Sequence, residues 1–373
     1  MRLPSRASPA ERGAEAPPVE TVAPTGAGLV ELRPPGARQR PRRRGRDRSQ
    51  ALRRGFQIAF VALNAWIGFE FYRFVRYFET GGRSPWSPRP PGVEGWLPIA
   101  SLMNLKATLL TGEMPRVFPA GVVLLSAFLA ISLLFRKAFC SWLCPVGTVS
   151  EWLWMLGRRV IGRNLALPRW LDVPLRGVKY LLLGFFLWVV GSMSVEAIRA
   201  FLVTPYGLVA DVKMLDFFRR MGTTAAWTLA ALVVLSIPVQ NFWCRYACPY
   251  GALLGLVSML APLRVRRDPA TCIDCEKCAK ACPSLLPVDR LASVRSPECT
   301  GCLECVAACP VKGALDFASP RRRPWPAWAV AAGIAAVFLG LVGAAQLAGH
   351  WRTDLPPEIY FQLVPRASEF GHP

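Results

Sequence analysis

The sequence predicts a membrane-spanning all-α bundle of about five helices, with a small cysteine-rich α+β domain inserted before the last helix. Three observations lead to this fold class. Apolar residues make up 53% of the 373 residues, and several runs reach the roughly 20 apolar residues that a bilayer requires. All twelve cysteines fall into four short motifs. The density of basic residues alternates along the chain, as it does between the two faces of a membrane.

Residues 1–54 predict a disordered basic tail. They contain thirteen arginines and no aromatic residue, so they lack the apolar surface from which a core is built. They also lack the apolar run of a signal peptide. We therefore expect the N-terminus to stay in the cytoplasm, with Arg38–Arg54 anchoring it at the inner membrane face.

Residues 55–261 predict a four-helix transmembrane domain, and residues 325–349 predict a fifth span. The predicted spans are Gly55–Phe78, Phe118–Phe135, Lys179–Val195, Ala225–Phe242 and Trp328–Gly349. The motif around Cys140 recurs 104 residues later around Cys244, which predicts two pseudo-repeated helical hairpins.

The formal net charge of +21 follows membrane topology rather than a nucleic-acid-binding surface. Segments 136–180 and 244–324 hold eight and twelve Lys and Arg residues, whereas segments 79–116 and 196–221 hold four basic and three acidic residues each. The excess of basic residues marks the cytoplasmic side. We therefore expect no nucleic-acid partner, membrane lipid as a partner, a cytoplasmic cysteine-rich domain and a short periplasmic tail at 350–373.

Residues 262–320 contain two Cys-x2-Cys-x2-Cys-x3-Cys-Pro motifs, the spacing of a bacterial two-cluster ferredoxin. Thiolates at this spacing favour two [4Fe–4S] clusters over a zinc site or a disulfide framework. In such ferredoxins the cysteine before each proline binds the opposite cluster. The expected ligands are Cys272, Cys275, Cys278 and Cys309 for cluster 1, and Cys299, Cys302, Cys305 and Cys282 for cluster 2.

The two ferredoxin motifs also predict a backbone conformation. Gly301 precedes the second cysteine of its motif, where we expect a positive φ angle, and Asp274 holds the equivalent place in the first motif. Glycine adopts this conformation freely, and aspartate tolerates it better than most residues do.

The other four cysteines form two Cys-x3-Cys-Pro motifs, Cys140/Cys144 and Cys244/Cys248. Two cysteines four residues apart share one face of a helix, and the proline is expected to end that helix. The four sulfurs are candidates for redox thiols of a dithiol relay, for a third metal centre, or for a docking site for soft ions such as Cu(I). Four buried structural cysteines are the plain alternative.

Other cofactors find little support in the sequence. It contains no Cys-x-x-Cys-His and only two histidines, which excludes covalent c-type haem and disfavours bis-histidine haem. Glu70, Arg73 and Glu196 lie near the predicted outer ends of spans. They are candidate proton acceptors for quinol oxidation, or simply interfacial charges.

The segments FCSWLCPVG (139–147) and WCRYACPYG (243–251), followed by the two ferredoxin motifs, resemble the NapH-type polyferredoxins. These are membrane subunits of quinol dehydrogenases that feed periplasmic nitrate reductase, and the core is similar to those of NosR and CcoG. The resemblance covers about residues 55–320. It implies the bacterial inner membrane, electron exchange with the quinone pool and a protein redox partner.

The primary hypothesis is therefore an electron-transfer subunit with two [4Fe–4S] clusters, possessing or serving a quinol-oxidising activity. The competing hypothesis is a copper-handling reductase or assembly factor, in which the clusters reduce an ion held by the four remaining thiols. The short stretch after the last span is too small for the exported domain of the copper-handling type. A redox-sensing regulator is a third alternative, with no predicted output domain.

Overall fold

The computed structural model describes Gly45 and residues 47–372. Its α-helices are α1 (Ser49–Glu79), α2 (Pro98–Thr111), α3 (Pro119–Phe135), α4 (Ala138–Trp142), α5 (Pro145–Ile161), α6 (Arg169–Ser192), α7 (Val195–Leu202), α8 (Pro205–Leu208), α9 (Ala210–Arg219), α10 (Thr223–Ser236), α11 (Pro249–Ser258), α12 (Lys277–Lys280), α13 (Glu304–Ala308), α14 (Ala327–Leu347) and α15 (Pro357–Leu363). A 3₁₀ helix spans Pro91–Trp96, and a π-helical turn spans Trp243–Ala247.

Three helices in the described part of the chain, α1, α6 and α14, are long and apolar enough to cross a membrane. The second and fourth predicted spans correspond to α3 and α10, which are apolar but only 17 and 14 residues long. α10 ends at Ser236, close before Pro238, which has no N–H to continue the helical hydrogen bonds. The count of five spans and the pseudo-repeated hairpins therefore stay predictions.

The first helix begins within the segment predicted as the N-terminal tail. Residues 1–44 and 46 of the predicted disordered tail lie outside the described residues. Residues 49–54, however, form the first turns of α1. Arg53 is buried there rather than anchored at a lipid surface, because it pairs with carboxylates of the protein.

The third predicted span also begins earlier than expected. α6 starts at Arg169, not Lys179, and continues through Pro174. Its first turns carry charged residues that the sequence suggested were outside the membrane. In the fold these charges are neutralised internally, since Asp172 pairs with Arg245 and Lys179 pairs with Glu298.

α3 lies at the centre of the bundle and packs against α2, α11 and α14. Five of its buried side chains belong to one hydrophobic core that also contains Trp142, Leu254, Phe317 and Ile334: Leu124, Ala127, Phe128, Ile131 and Phe135. This core therefore joins the membrane helices to the cysteine-rich domain. The domain is fastened to the bundle by packing as well as by the chain connections.

The cysteine-rich domain is closed by a two-stranded antiparallel sheet. β1 (Arg264–Arg267) pairs with β2 (Leu315–Ala318) so that Arg264 faces Ala318 and Arg267 faces Leu315. The two strands come from opposite ends of the domain, and both cluster motifs lie between them in sequence. The sheet thus brings the two motifs into one compact unit.

The C-terminal tail predicted at 350–373 contains a helix, α15, which lies against the C-terminal end of α1. Tyr360 packs on Phe74 with ring centroids 5.2 Å apart, and Phe361 packs on Phe78 at 4.7 Å. The cysteine-rich domain contacts the opposite end of α1, near Gln50. The two ends of this helix therefore contact different parts of the chain, while the side of the membrane on which each lies remains a prediction.

Candidate functional site

The two ferredoxin motifs fold into equivalent loops. Asp274 and Gly301 have φ angles of +52° and +62°, which confirms the left-handed backbone predicted at both positions. Two residues further along each motif, Glu276 and Leu303 have φ angles of +55° and +62°. The two loops therefore share one backbone conformation at equivalent positions.

A cavity beside the second motif is lined by the four cysteines expected to hold cluster 2: Cys282, Cys299, Cys302 and Cys305. It encloses about 350 Å³, part of it open to solvent, and its other walls include Val265 and Leu286. Burial raises the pKa of the Cys282 thiol to about 11. Such thiols remain protonated until a metal replaces the proton. All twelve cysteines are free of disulfides, so the donor set and the cavity fit an iron–sulfur cluster.

The cysteines expected to hold cluster 1 are more accessible. Cys272, Cys275, Cys278 and Cys309 are partly exposed, whereas the four cysteines of the other set are buried. Burial raises the pKa of Cys278, and the nearby Cys309 thiol raises it further. Cys309 thus lies close to Cys278, although it belongs to the other motif.

The second motif packs directly on the first Cys-x3-Cys-Pro segment. The Trp142 indole Nε1 donates to the Gly301 carbonyl at 3.1 Å, and the Ser141 hydroxyl donates to the Thr300 carbonyl at 2.7 Å. Both donors belong to α4, the short helix that also carries Cys140. The cluster 2 loop is therefore held by the helix that presents a thiol of the membrane domain.

Helix α1 adds a buried ionic network to the same contact. The Arg53 guanidinium binds both oxygens of Glu151, at 2.6 and 2.7 Å, and Glu304 at 2.7 Å. Gln57 donates to Glu151 at 2.9 Å, and Gln50 donates to the Cys302 carbonyl at 3.0 Å. One arginine thus connects α1, α5 and the ferredoxin domain.

Helix α6 binds the residue that precedes the second motif. The Lys179 ammonium lies 2.7 Å from both oxygens of Glu298, and the Tyr180 hydroxyl donates to Glu298 at 3.2 Å. Arg136 donates to the carbonyl oxygens of Ser258, at 2.6 Å, and Ser296. The contacts from α1, α4, α6 and Arg136 all reach residues 296–304, so the cluster 2 half of the domain faces the membrane bundle.

Replacing Trp142 with phenylalanine should weaken this contact. The indole is fully buried, and its loss leaves the Gly301 carbonyl without that donor, at a cost of about 1–3 kcal/mol. We expect faster loss of cluster 2 to an iron chelator, measured by electron paramagnetic resonance (EPR). Trp152→Phe is the control, since Trp152 is 43% exposed. Equal rates in the two variants would contradict the prediction.

The Cys-x3-Cys-Pro motifs do not form the single helix face that the spacing predicted. Cys140 lies in α4, but Cys144 is the N-terminal cap of α5, and its Sγ accepts the Gly147 N–H at 3.5 Å. Cys248 caps α11 in the same way, with its Sγ 3.2 Å from the Gly251 nitrogen. The proline begins a new helix, because its fixed φ angle and missing N–H suit the first helical position.

These four sulfurs nevertheless lie near one another, and each of the four cysteines is half-buried. Burial raises the pKa of Cys244 well above its usual value, and the other three thiols raise it further. Cys140 and Cys244 both line a cavity of about 580 Å³, part of it open to solvent, which extends to Cys302 of the second motif. No group of three or more His, Cys, Asp or Glu side chains within residues 47–372 is arranged to hold a metal ion as it stands.

Sequence reasoning missed the charged residues around these sulfurs. Arg53, Lys137, Lys179 and Glu298 are all buried, but the sequence marked the basic ones only as topology signals. Lys137 is 3% exposed and lines the same cavity as Cys140 and Cys244. The positions of these residues could have indicated their burial, since each lies within or beside an apolar run or a cysteine motif.

Comparison with known proteins supports iron–sulfur binding in both cysteine-rich regions. A family model described as a 4Fe–4S binding domain matches residues 117–164 and again 221–267, and a 4Fe–4S dicluster domain matches residues 264–310. YccM of Escherichia coli (strain K12), named for a proposed role in electron transport, is 48% identical over 86% of this chain and 91% of its own length. The chain belongs to the NapH-type polyferredoxin family.

More distant relatives match about half of the chain. The ferredoxin-type protein NapH of Escherichia coli (strain K12) is 25% identical over 50% of this chain and 61% of its own length. NirI of Paracoccus denitrificans (strain Pd 1222) is 28% identical over 56% of this chain and 30% of its own. No solved structure matches the chain. The protein is thus an iron–sulfur electron-transfer protein of the membrane, related to NapH and NirI.

Proposed function

We propose that this NapH-type polyferredoxin exchanges electrons between the quinone pool and a protein redox partner through two [4Fe–4S] clusters. Cys272, Cys275, Cys278 and Cys309 would hold cluster 1, and Cys299, Cys302, Cys305 and Cys282 would hold cluster 2. The clusters supply one-electron redox chemistry when bound. The residues of the chain hold them, bury one more deeply than the other and fix them against the membrane helices.

The observation that carries the proposal is the contact between the second motif and α4. Gly301 and Thr300 accept hydrogen bonds from Trp142 and Ser141, beside Cys140 of the membrane bundle. Cluster 2 would therefore take electrons from the membrane side, and cluster 1 would pass them outward. The partial exposure of the cluster 1 cysteines suits contact with a soluble partner.

The proposal also includes the quinone pool as the source of electrons and a cytoplasmic location for the cysteine motifs. The basic residues around the cysteine motifs support placing them at the cytoplasmic face of a bacterial inner membrane. Quinol oxidation would release both protons to water and one electron to each cluster. NapH-type resemblance supports the quinone pool as the source, and anionic lipid as the partner of the basic segments.

The test uses full-length protein purified without oxygen and placed in lipid vesicles. Vesicles containing a menaquinol or ubiquinol analogue should reduce the clusters, or the matching quinone should reoxidise clusters reduced by dithionite. Visible absorption and EPR follow both reactions. Clusters that respond to dithionite but to neither quinol nor quinone would overturn the proposal.

The matched control removes a single cluster. Cys305→Ala should abolish exchange with quinone while leaving cluster 1 reducible by dithionite, because cluster 2 lies against the membrane bundle. Cys275→Ala should leave the exchange of electrons between quinone and cluster 2 intact. The opposite pattern would reverse the proposed order of the clusters.

A further inference from the structure

The small sheet of the ferredoxin domain has two unlike faces. Val265 and Phe317 are cross-strand partners on β1 and β2, and both are almost fully buried in the hydrophobic core. Because side chains alternate between the two faces along a strand, Arg264 and Arg266 lie on the other face, where both are partly exposed. The sheet therefore presents arginines on the face opposite the core.

A third arginine joins this face from the segment that precedes the second cysteine motif. Arg266 forms an antiparallel bridge with Ser293, and continuing this register places the exposed Arg295 opposite Arg264. Like charges directly opposite each other on a sheet are destabilising. Burial and the neighbouring arginines, first among them Arg295, lower the pKa of Arg264. We refer to Arg264, Arg266 and Arg295 as the arginine face.

The arginine face lies where the chain enters the apolar helix α14. The Trp325 N–H donates to the Phe317 carbonyl at 2.7 Å, so the sheet is joined to a residue only two positions before α14. Ala318, the partner of Arg264 on β2, also forms a bridge with Pro324. The turn at 321–323, between these two residues, consists of three exposed arginines. Basic side chains are therefore concentrated beside the first residues of a helix long enough to cross a membrane.

Apolar side chains border the arginine face on the side of the bundle. The Arg264 guanidinium donates to the carbonyl oxygens of Ala261, at 2.8 Å, and Met259, at 3.0 Å, just beyond the end of α11. Leu260, between these two residues, is 73% exposed, and Trp325 is 38% exposed. Exposed apolar and aromatic side chains next to arginines are typical of the interface between membrane and water.

The charge of this region is positive even when its carboxylate is included. Asp316 lies opposite Arg266 in the sheet and supplies one negative charge. Arg136 adds a buried positive charge, because its guanidinium donates to the carbonyl oxygen of Ser296, the neighbour of Arg295 in sequence. The buried Nε of Arg136 has no hydrogen-bond partner among the described residues. The region is therefore suited to an anion.

We propose that the arginine face binds the phosphodiester headgroup of an anionic phospholipid, with Leu260 and Trp325 against its acyl chains. The inference rests on the proposed function for the membrane location of this face, and it names the site at which the anionic lipid is bound. Guanidinium groups bind phosphate oxygens through paired N–H donors. Each basic residue near an anionic surface strengthens binding about fivefold. A lipid bound here would hold the sheet, and with it the ferredoxin domain, at the membrane surface.

Native mass spectrometry of the full-length protein in detergent, titrated with phosphatidylglycerol or with phosphatidylcholine, tests this site. We expect the wild type to prefer phosphatidylglycerol. Arg264→Gln/Arg295→Gln should bind the first phosphatidylglycerol about 25-fold more weakly, because two positive charges are lost. Lys280→Gln/Arg290→Gln is the matched control with the same loss of charge, since these side chains are 75% and 81% exposed beside carboxylates of their own.

Arg295→Glu provides a second variant in case the loss of Arg264, which also binds two backbone carbonyls, prevents folding. Arg295 is exposed, so its reversal should leave the iron content unchanged while weakening phosphatidylglycerol binding about 25-fold. Equal affinity of the wild type for the two lipids would overturn the site, and so would equal affinity of the arginine-face variants and the control.

Inorganic phosphate, added to the lipid-bound wild type, separates a lipid site from a site for free phosphate. It should leave phosphatidylglycerol bound, and its displacement of the lipid would overturn the proposal. A chain without lipid preference that still exchanges electrons with quinone would leave the proposed function standing. A chain with the lipid preference but without quinone exchange would do the reverse.

Discussion

Replacing Arg53 with methionine should lower the free energy of unfolding by about 3–5 kcal/mol, because it removes the cation from a buried ionic network. The Arg53 side chain is 2% exposed, and its partner Glu151 is 11% exposed. Without the guanidinium, Glu151 and the partly buried Glu304 would face each other uncompensated. Denaturant unfolding in detergent, followed by the visible absorption of the clusters, measures the change.

Arg54→Met is the matched control, since the neighbouring side chain is exposed and should tolerate the change. Adding Glu304→Gln to Arg53→Met should restore part of the loss. Burial raises the pKa of Glu304 to about 7 even though Arg53 lowers it, and removing Arg53 raises that pKa further. The part of the defect due to Glu304 should therefore shrink as the pH falls towards 7 and the carboxyl takes up a proton. Equal stability of the Arg53 and Arg54 variants would show that the network contributes nothing.

Gly147→Ala should disrupt the Cys-x3-Cys-Pro site, whereas Gly251→Ala should be tolerated. A Cβ on Gly147 would lie 2.2 Å from the Cys140 carbonyl oxygen, so either α4 or the start of α5 must move. Overpacking of this kind costs about 1–3 kcal/mol or more. A Cβ on Gly251 would meet its nearest atoms, the Cys248 Sγ and the Lys137 Nζ, at 3.5 Å, an ordinary contact.

The comparison is informative because the two glycines hold equivalent places in the duplicated motif. We expect Gly147→Ala to lose iron and unfold at lower denaturant concentration, and Gly251→Ala to match the wild type in both. Iron counting and the unfolding midpoint are the measurements. Similar losses in the two variants would mean that the motifs are equally crowded, contrary to the geometry.

The sequence predicted best those features that depend on local chemistry. The positive φ angles at Asp274 and Gly301 follow from residue type and motif spacing, and both are observed. The long apolar runs of α1 and α14 are likewise recognisable without tertiary information. Each of these predictions depends on a few neighbouring residues, so contacts with distant parts of the chain do not change it.

Features that depend on partners distant in sequence could not be predicted. Pro145 was expected to end a helix, yet it begins α5, since a proline suits either place and only the fold selects one. Lys179 suggested a helix boundary, but its charge is neutralised by Glu298, 119 residues away. Local sequence patterns cannot reveal such pairings. A charged residue inside an apolar bundle therefore predicts the end of a membrane span, even where the helix continues.

The 31 residues of α1 carry contacts at both ends that bear on how electrons move. At about 1.5 Å per residue, one continuous helix separates Arg53, at the ferredoxin domain, from Phe78, at α15. The ferredoxin domain cannot swing away without breaking the Arg53 network and the packing of Trp142. We therefore expect electron transfer into cluster 2 to proceed over a fixed distance, with a rate insensitive to solvent viscosity.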